Sequence, residues 1–364
     1  MIFSRRGVSG DRATGGNSPR LPSANMFVVT GSHEIPSPAY AMQHRTFGRL
    51  GWPVSEIGYG MWGMSGWSGS DDGRSRAALD EAVRLGCNFF DTAWGYGKGH
   101  SERLLGQLVR DHADSRLYTA SKIPPKNLQW PSQRGTPLDD VFPPDHIREY
   151  AERTLGNLGL PRLDLLQFHV WEDAWARDDR WWRAMSDLRD EGLIGGVGVS
   201  VNRWEPWNVV ETLRTGHVDA VQVIYNIFDQ SPEDELFPLC EQLRVAVIAR
   251  VPFDEGSLSG AVTRDVTFPE GDFRRIYFGP ENLGPTMDRV DALRAEIGTA
   301  MPLAEVALRF ILGDARVSTV IPGMRSVEHV RGNLGAADGT TLPPALRGRL
   351  RTHRWDRVPA SWSL

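Results

Sequence analysis

Residues 87–97, CNFFDTAWGYG, begin as a short apolar run, become polar at Asp91 and continue into a glycine-rich loop that carries Tyr96. Short apolar runs bounded by turn residues are typical of strands that are buried on both faces of a parallel sheet. Seven similar runs occur along the chain, at residues 57–61, 117–121, 163–169, 195–200, 220–224, 245–250 and 317–321. The sequence therefore predicts eight buried strands.

Segments with helical spacing of apolar residues lie between these runs. In residues 75–85 the apolar side chains recur on one helix face, and Gly86 follows where a C-terminal cap belongs. Residues 145–158 show a similar stripe, with Asp145 placed to cap the N-terminus. Further helices are predicted at residues 181–191, 205–214, 235–243, 287–297, 303–312 and 327–334.

The alternation of eight strands with helices favours a closed (β/α)8 TIM barrel. A doubly wound sheet is the alternative, but residues 58–63, GYGMWG, lack the spacing of its phosphate-binding turn and precede no evident helix. A β-hairpin is predicted at residues 45–60. Residues 1–42, rich in Gly, Ser, Pro and Arg without a regular period, are predicted to be a disordered tail, which leaves residues 43–364 as one barrel domain.

Composition excludes several classes of protein. The 364-residue chain has a net charge of −5, which argues against a nucleic-acid partner or attachment to an anionic membrane surface. No apolar run approaches the roughly 20 residues that span a bilayer. Cys87 and Cys240 are too few for a disulfide framework and lack the spacing of a metal site. We therefore expect a soluble, cytoplasmic protein without a bound metal.

Ionisable and amide side chains follow the predicted strands at their carboxyl ends, where catalysis takes place in (β/α)8 barrels. Asp91 ends the second run and Tyr96 lies in the loop after it, whereas Lys122 and His169 end the third and fourth runs. The fifth and sixth runs contribute Ser200, Asn202 and Gln222. These side chains are predicted to converge on one mouth of the barrel.

The combination of Asp, Tyr, Lys and His suits proton transfer to a carbonyl oxygen. A phenol has an ordinary pKa of roughly 10, and a neighbouring ammonium favours its ionised form. We expect Tyr96 to be the general acid in carbonyl reduction and the base in alcohol oxidation, with Lys122 lowering its pKa. Asp91 would hold Lys122, and His169 would hydrogen-bond the carbonyl oxygen. None of these is a covalent nucleophile, so a hydride donor must supply the reducing equivalents.

At these residues the sequence resembles the aldo-keto reductase superfamily, over residues 45–337. The resemblance rests on DTAWGYG at 91–97, SK at 121–122, DLLQFH at 164–169, GVS at 198–200, VQVIYN at 221–226 and IPGMRSVEHVRGN at 321–333. It implies a (β/α)8 barrel that reduces small-molecule aldehydes or ketones with NADPH rather than NADH. It also implies a catalytic tetrad of Asp91, Tyr96, Lys122 and His169.

The resemblance implies a nicotinamide site as well. It assigns the carboxamide to Ser200, Asn202 and Gln222, and it puts Arg250 where an aromatic residue commonly stacks on the ring. A guanidinium face is less favourable beside an oxidised nicotinamide, so we predict that this site favours the reduced cofactor.

Two further segments complete the implied cofactor site. Residues 252–285 would fold over the diphosphate as a lid, with backbone amides of residues 256–260 meeting the phosphates. The lid residues assigned to the cofactor are Pro252, Gly256, Leu258 and Gly260. In residues 321–333, a glycine permits close backbone approach, Arg and Ser can engage a 2′-phosphate, and His and Asn reach the adenosine. These residues are Gly323, Arg325, Ser326, His329 and Asn333.

The substrate pocket is predicted to have aromatic walls. Several of the 13 tryptophans fall on loops that border the mouth, and the loops at residues 123–143, 170–179 and 252–285 are long. We predict a pocket for a bulky, flat or sugar-like carbonyl compound. Its walls are assigned to Trp62, Trp94, Trp130 and Trp171.

Other functions remain open. The same tetrad runs in either direction, so an NADP-dependent sugar or polyol alcohol dehydrogenase is an alternative. Some members of the superfamily act as non-catalytic accessory subunits of potassium channels, although an intact tetrad favours turnover. A divalent-metal barrel enzyme would need several His, Asp and Glu residues at the strand ends, where only Asp91 and His169 qualify.

Overall fold

The computed structural model describes residues 42–64 and 70–357. It opens with an antiparallel hairpin, followed by eight parallel strands that pair in the order of the chain. The hairpin strands are β1 (His44–Phe47) and β2 (Trp52–Ser55). The parallel strands are β3 (Tyr59–Gly60), β4 (Phe89–Asp91), β5 (Tyr118–Ile123), β6 (Leu163–His169), β7 (Ile194–Ser200), β8 (Ala220–Ile224), β9 (Ala246–Arg250) and β10 (Thr319–Val320).

The first and last parallel strands meet, so the sheet closes on itself. Gly60 bridges to Gly323, and the Gly58 amide donates to the Val320 carbonyl at 2.8 Å. Helices surround this barrel. They are α1 (Asp72–Arg84), α2 (His100–Asp111), α3 (Leu138–Val141), α4 (Pro144–Leu158), α5 (Arg180–Asp190), α6 (Val210–Arg214), α7 (Leu236–Leu243), α8 (Arg274–Tyr277), α9 (Pro280–Ile297), α10 (Leu303–Leu312), α11 (Val327–Leu334) and α12 (Pro344–Arg351). The predicted (β/α)8 barrel is confirmed.

The hairpin covers the amino end of the barrel. Phe47 and Trp52 stack on each other, and they contact Phe89 and Tyr118, the first residues of β4 and β5. Aromatic packing of this kind removes the lower opening from solvent. The barrel is therefore accessible from the carboxyl ends of its strands.

Several predicted helix boundaries were wrong. Helix α2 was not predicted, because polar Ser101 and Glu102 occupy buried positions on its inner face and interrupt the apolar stripe. Helix α4 begins with Pro144 after Pro143, and the Asp145 side chain makes no cap. Of the helix predicted at residues 205–214, only the last five residues are helical, as α6. Helix α9 begins at Pro280, so the lid predicted at residues 252–285 is shorter than expected.

The predicted tail lies outside the described residues, except for Met42. That side chain is buried and packs in the core, so the fold includes it. Residues 65–69 and 358–364 also lie outside the description. Within the part of the chain that the structure describes, no helix is long and apolar enough to cross a membrane.

Candidate active site

Four side chains meet at the carboxyl end of the barrel around a buried ammonium group. Lys122, in β5, has no exposed surface, and its Nζ donates to Asp91 Oδ1 at 2.5 Å and to the Thr92 carbonyl at 2.7 Å. The same nitrogen lies 3.5 Å from the Tyr96 hydroxyl. The His169 ring stands edge-on to the Tyr96 ring, with 6.2 Å between their centroids. The predicted tetrad is thus assembled in space.

The loop after β4 places Tyr96 beside the strand ends. Thr92 Oγ1 donates to Ser101 Oγ at 2.7 Å, and Ser101 Oγ donates to the Met61 carbonyl at 3.2 Å. Residues 97–99 all have positive φ, between 50° and 84°, and two of the three are glycines. This left-handed turn reverses the chain into α2 and leaves Tyr96 facing the mouth.

Burial and charge act in opposite directions on the tetrad. Burial raises the pKa of Tyr96, and the Lys122 ammonium lowers it by less, so the net pKa stands above the ordinary value. The expected lowering by Lys122 is therefore present but outweighed. Burial alone would lower the pKa of Lys122, but the charges of Asp91 and Tyr96 raise it overall. Lys122 is held as an ammonium.

His169 is held neutral. Burial, then the positive charges of Lys122 and Arg250, lowers its pKa well below the ordinary value. Its Nδ1 is buried and has no hydrogen-bond partner among the described residues. A neutral imidazole offers one N–H donor and one acceptor.

Asp91 has two further partners that fix its other oxygen. Oδ2 accepts from Gln167 Nε2 at 3.0 Å and from Gln222 Nε2 at 2.9 Å. Gln167 was missing from the predicted site. Its signal was available, because alternate residues of a strand share a face and Gln167 lies two residues before His169.

The proposed nicotinamide residues lie on neighbouring strands. Ser200 ends β7 and pairs in register with His169 and Gln222. Arg250 ends β9, and its Nη2 donates to the Val201 carbonyl at 2.9 Å. Burial, and then the charge of Arg203, lowers the pKa of Arg250 to about 10, so it stays positive at neutral pH. The Asn202 side chain accepts from the Trp204 amide at 3.2 Å, a turn contact that the sequence did not predict.

The loop after β9 forms a 3-10 turn, Asp254–Ser259, with positive φ at Asp254, Glu255 and Gly256. The Gly256 and Leu258 amides both donate to the Phe253 carbonyl, so these two of the predicted phosphate-binding amides are engaged within the loop. The Leu258 side chain is fully buried in the core, as is most of Pro252, and Gly260 also has positive φ.

A buried network of charges holds this turn, and no pattern in the sequence predicts it. Arg357 donates to the Tyr277 hydroxyl at 2.6 Å and to Asp229 Oδ2 at 2.5 Å, and it lies 3.0 Å from Asp254 Oδ1. Tyr277 in turn donates to Asp254 at 2.5 Å. Arg203 pairs with Glu255 and also donates to the Tyr277 hydroxyl, at 3.0 Å.

The segment assigned to the adenosine end of the cofactor, residues 321–333, adjoins β3 through the Gly60–Gly323 bridge and continues into α11. Gly323 has open space where a side chain would begin, so a ligand can approach the backbone there. Arg325 is exposed, and its aliphatic part packs over Gly63. Ser326 caps α11 by accepting from the His329 amide at 3.3 Å. His329 is exposed, whereas Asn333 is mostly buried.

The four tryptophans assigned to the pocket behave differently. Trp62 and Trp130 are exposed, by 37% and 40%, and Trp130 lies 6.1 Å from the His169 ring. Trp94 packs edge-on against Tyr150 of α4. Trp171 was wrongly assigned. It has no exposed surface, because it packs among aromatic rings of the core and donates to Thr212.

The residues present fit a nicotinamide cofactor. Arg250 Nε and His169 Nδ1 are buried polar atoms that lack partners among the described residues, and both lie at the open end of the barrel. These two atoms leave unused hydrogen-bonding capacity at the mouth, and Gly323 leaves open space beside the backbone there. Among the described residues, no group of three or more His, Cys, Asp or Glu side chains could hold a metal ion.

Comparisons with known proteins indicate a single family. A family model described as the Aldo/keto reductase family matches residues 56–350. The chain is 27% identical over 303 residues to a protein of Escherichia coli (strain K12) called NADH-specific methylglyoxal reductase, covering 78% of this chain and 90% of that enzyme.

Two solved structures are similar to the barrel. The holo form of an aldo-keto reductase from Bacillus halodurans gives a TM-score of 0.70 at 27% identity, covering 89% of this chain and 100% of that one. A glycerol dehydrogenase from Gluconobacter oxydans gives a TM-score of 0.69 at 25% identity, covering 86% of this chain and 95% of that one. Because the family model spans most of the chain and the barrel agrees with these structures, the protein belongs to the aldo/keto reductase family and is an oxidoreductase.

Proposed function

We propose that this enzyme reduces an aldehyde or ketone to an alcohol with NADPH, and that Tyr96 supplies the proton. The observation that carries the proposal is the buried Lys122 nitrogen, 2.5 Å from Asp91 Oδ1 and 3.5 Å from the Tyr96 oxygen. A phenol between an ammonium and the open end of the barrel can give its proton to an oxygen bound above it.

Each tetrad member has a separate role in this proposal. Tyr96 and neutral His169 orient the carbonyl oxygen through hydrogen bonds. NADPH supplies the hydride when it is bound. As negative charge develops on the oxygen, Tyr96 transfers its proton, and Lys122 stabilises the resulting phenolate. Asp91 keeps Lys122 charged and in place.

The experiment that tests the reaction is cofactor oxidation with a panel of aldehydes and ketones. We expect turnover by the wild type and a loss of at least about a hundredfold in kcat for Tyr96→Phe, as typical of a lost general acid. Cofactor binding should persist in the variant, because the phenyl ring keeps the packing. Equal kcat in both proteins would contradict the role of Tyr96, and no turnover of any carbonyl would contradict the reaction.

The preference for NADPH is assigned to Arg325 and Ser326, which lie beside the open space at Gly323. The similar E. coli enzyme bears the name NADH-specific, so the preference needs its own test. We expect the wild type to show a higher kcat/KM with NADPH than with NADH, and Arg325→Ala to lose most of that difference. A ratio near one in both proteins would remove the assignment.

The substrate is proposed to be bulky, flat or sugar-like, because Trp62 and Trp130 both expose large aromatic surfaces and Trp130 adjoins His169. Trp130→Ala should raise KM for the preferred carbonyl substrate with little change in the binding of NADPH. An unchanged KM would count against an aromatic wall.

Alcohol oxidation is the second candidate, favoured by the likeness to a glycerol dehydrogenase. The tetrad geometry serves both directions, so rates with NADP⁺ and a panel of polyols, measured beside the reduction, decide between them. We also propose a cytoplasmic enzyme in which residues 43–364 form one domain. Both cysteines are buried free thiols, as suits a reducing compartment.

A further inference from the structure

Gln167 occupies the centre of the barrel, where no part of its surface is exposed. Its Nε2 donates to Asp91 Oδ2 at 3.0 Å, and its Oε1 accepts from Gln222 Nε2 at 3.2 Å. Gln222 Nε2 also donates to Asp91 Oδ2, at 2.9 Å. The three side chains therefore form a closed triangle that links strands β4, β6 and β8.

The neighbouring strand leaves room for this side chain. Gly198 pairs in register with Gln167, and a Cβ at Gly198 would lie 2.6 Å from Gln167 Cγ and 3.4 Å from Cδ. A contact of 2.6 Å between carbon atoms is far inside their normal separation. The glycine thus leaves room for the observed conformation, in which Gln167 reaches both partners.

The charge of Asp91 sets the orientation of both amides. An ionised carboxylate only accepts hydrogen bonds, so each glutamine must turn its NH2 group towards Oδ2. Gln167 uses one N–H of this group on Asp91, and its Oε1 accepts from Gln222. The NH2 group of Gln222 is used by Asp91 and Gln167, which leaves Gln222 Oε1 as the atom that can meet a ligand, as an acceptor.

We propose that Gln167 is a positioning residue that couples the catalytic carboxylate to the nicotinamide site. It holds Asp91 Oδ2 so that Oδ1 faces Lys122, and it holds Gln222 so that Oε1 accepts an N–H of the nicotinamide carboxamide. The inference rests on the proposed function, because it takes Gln222 as a cofactor residue. It adds a residue, Gln167, whose loss should weaken contacts to the nicotinamide end of the cofactor and not those to the adenosine end, besides displacing Asp91.

Binding of two ligands tests the second role. Gln167→Met keeps the length of the side chain and removes its hydrogen bonds. We expect the variant to bind NADPH about five- to tenfold more weakly, the size of one misplaced hydrogen bond, and to bind 2′,5′-ADP, which lacks nicotinamide, unchanged. Tryptophan fluorescence reports both affinities. If the wild type prefers NADH, then NADH and ADP-ribose form the equivalent pair.

The pH profile tests the first role. In Gln167→Glu, a protonated carboxyl can donate to Asp91 as the amide does, but two carboxylates in contact cannot both ionise easily. We expect kcat of this variant to approach that of the wild type near pH 6 and to fall as the new carboxyl ionises. In Gln167→Met, kcat should be lower than that of the wild type by the same factor at every pH.

Gln230→Met is the matched control. Gln230 is also a buried glutamine, but its Nε2 donates to the carbonyls of Ile227, Leu350 and Arg351, away from the site. This variant should lose stability while it keeps both affinities and the wild-type pH profile.

Three results would overturn the inference. They are equal weakening of NADPH and 2′,5′-ADP in Gln167→Met, no weakening of either, and a Gln167→Glu profile parallel to that of the wild type. A failure of the proposed function is distinguishable, because it would appear in the wild type itself as absent cofactor binding or absent turnover.

Discussion

At the level of single residues, the pKa values of the Tyr96 phenol and the Lys122 ammonium are both raised. The pKa of the His169 imidazole is lowered well below its ordinary value. Tyr96 is therefore protonated, Lys122 charged and His169 neutral across the neutral range. Each side chain is already in the form that the proposed carbonyl reduction requires.

This predicts a flat pH profile for reduction. We expect kcat/KM to change little between about pH 6.5 and pH 9, since none of the three groups titrates there, and to fall only where Tyr96 loses its proton, above its ordinary value of roughly 10. Alcohol oxidation, which needs the phenolate, should rise with pH over the same interval. Steady-state rates in constant ionic strength buffers measure both profiles. A fall in kcat/KM for reduction below about pH 8, on the alkaline side, would contradict the assignment of Tyr96 as the proton donor.

Arg250 leads to a second prediction at this scale. Its guanidinium is buried and positive, and it stands where the nicotinamide ring is proposed to lie, so it opposes the positive charge of the oxidised ring. The wild type should bind NADPH more tightly than NADP⁺, and Arg250→Trp should narrow the difference. Fluorescence titration measures the dissociation constants of NADPH and NADP⁺ for each protein. Arg250→Lys keeps the charge and should keep the difference, whereas a wild type that binds both forms equally would refute the idea.

At the scale of elements, the turn Asp254–Ser259 depends on partners that are distant in the chain. Two non-glycine residues with positive φ, Asp254 and Glu255, each cost free energy that local structure does not recover. Arg203 and Arg357 pair with these carboxylates from the loop after β7 and from the C-terminal segment. The conformation of the turn is therefore maintained by tertiary ion pairs.

Removal of Arg357 should be strongly destabilising. The side chain is 1% exposed, and Arg357→Met would leave Asp229 and Asp254 without their cation. We expect the free energy of unfolding to fall by roughly 3 kcal/mol, as for other broken buried pairs. Arg354→Met, which removes exposed pairs from the same segment, should cost less than about 1 kcal/mol. Urea denaturation compares the two variants, and equal losses would contradict the buried network.

At the scale of the whole molecule, burial lowers the pKa of His146 and of His169 below the ordinary value of 6.5. Below that pH the unfolded chain binds protons that the folded chain does not. These two histidines therefore lower the stability as pH falls, each by up to about 1.4 kcal/mol per pH unit.

Denaturant midpoints at pH 7.5 and pH 5.5 measure this dependence. We expect the lower midpoint at pH 5.5, and a smaller difference in His146→Gln, whose side chain lies away from the tetrad and can still donate to the Pro124 carbonyl as His146 does. An equal difference between the two midpoints in His146→Gln and in the wild type would contradict the lowered pKa of His146.

The amino-acid sequence was sufficient to predict the barrel and the convergence of the proposed tetrad residues at one end of it. Short apolar runs and helical stripes are local patterns, so all eight strands were predicted close to their observed bounds. Asp91, Lys122 and His169 follow from the same patterns, because the carboxyl ends of parallel strands in a barrel face one mouth. Helix α2 escaped prediction because its buried face is partly polar.

The contacts that complete the site depend on the folded chain. The sequence predicted Gln222 at the mouth of the barrel but not its hydrogen bond to Asp91, 131 positions away, and it did not predict the contact of Arg357 with Asp229, 128 positions away. Tryptophan is a residue type that often lines pockets, but Trp171 lies inside the aromatic core. Contacts of this range depend on how the closed barrel brings strands and loops together in space, and no local spacing in the chain encodes them.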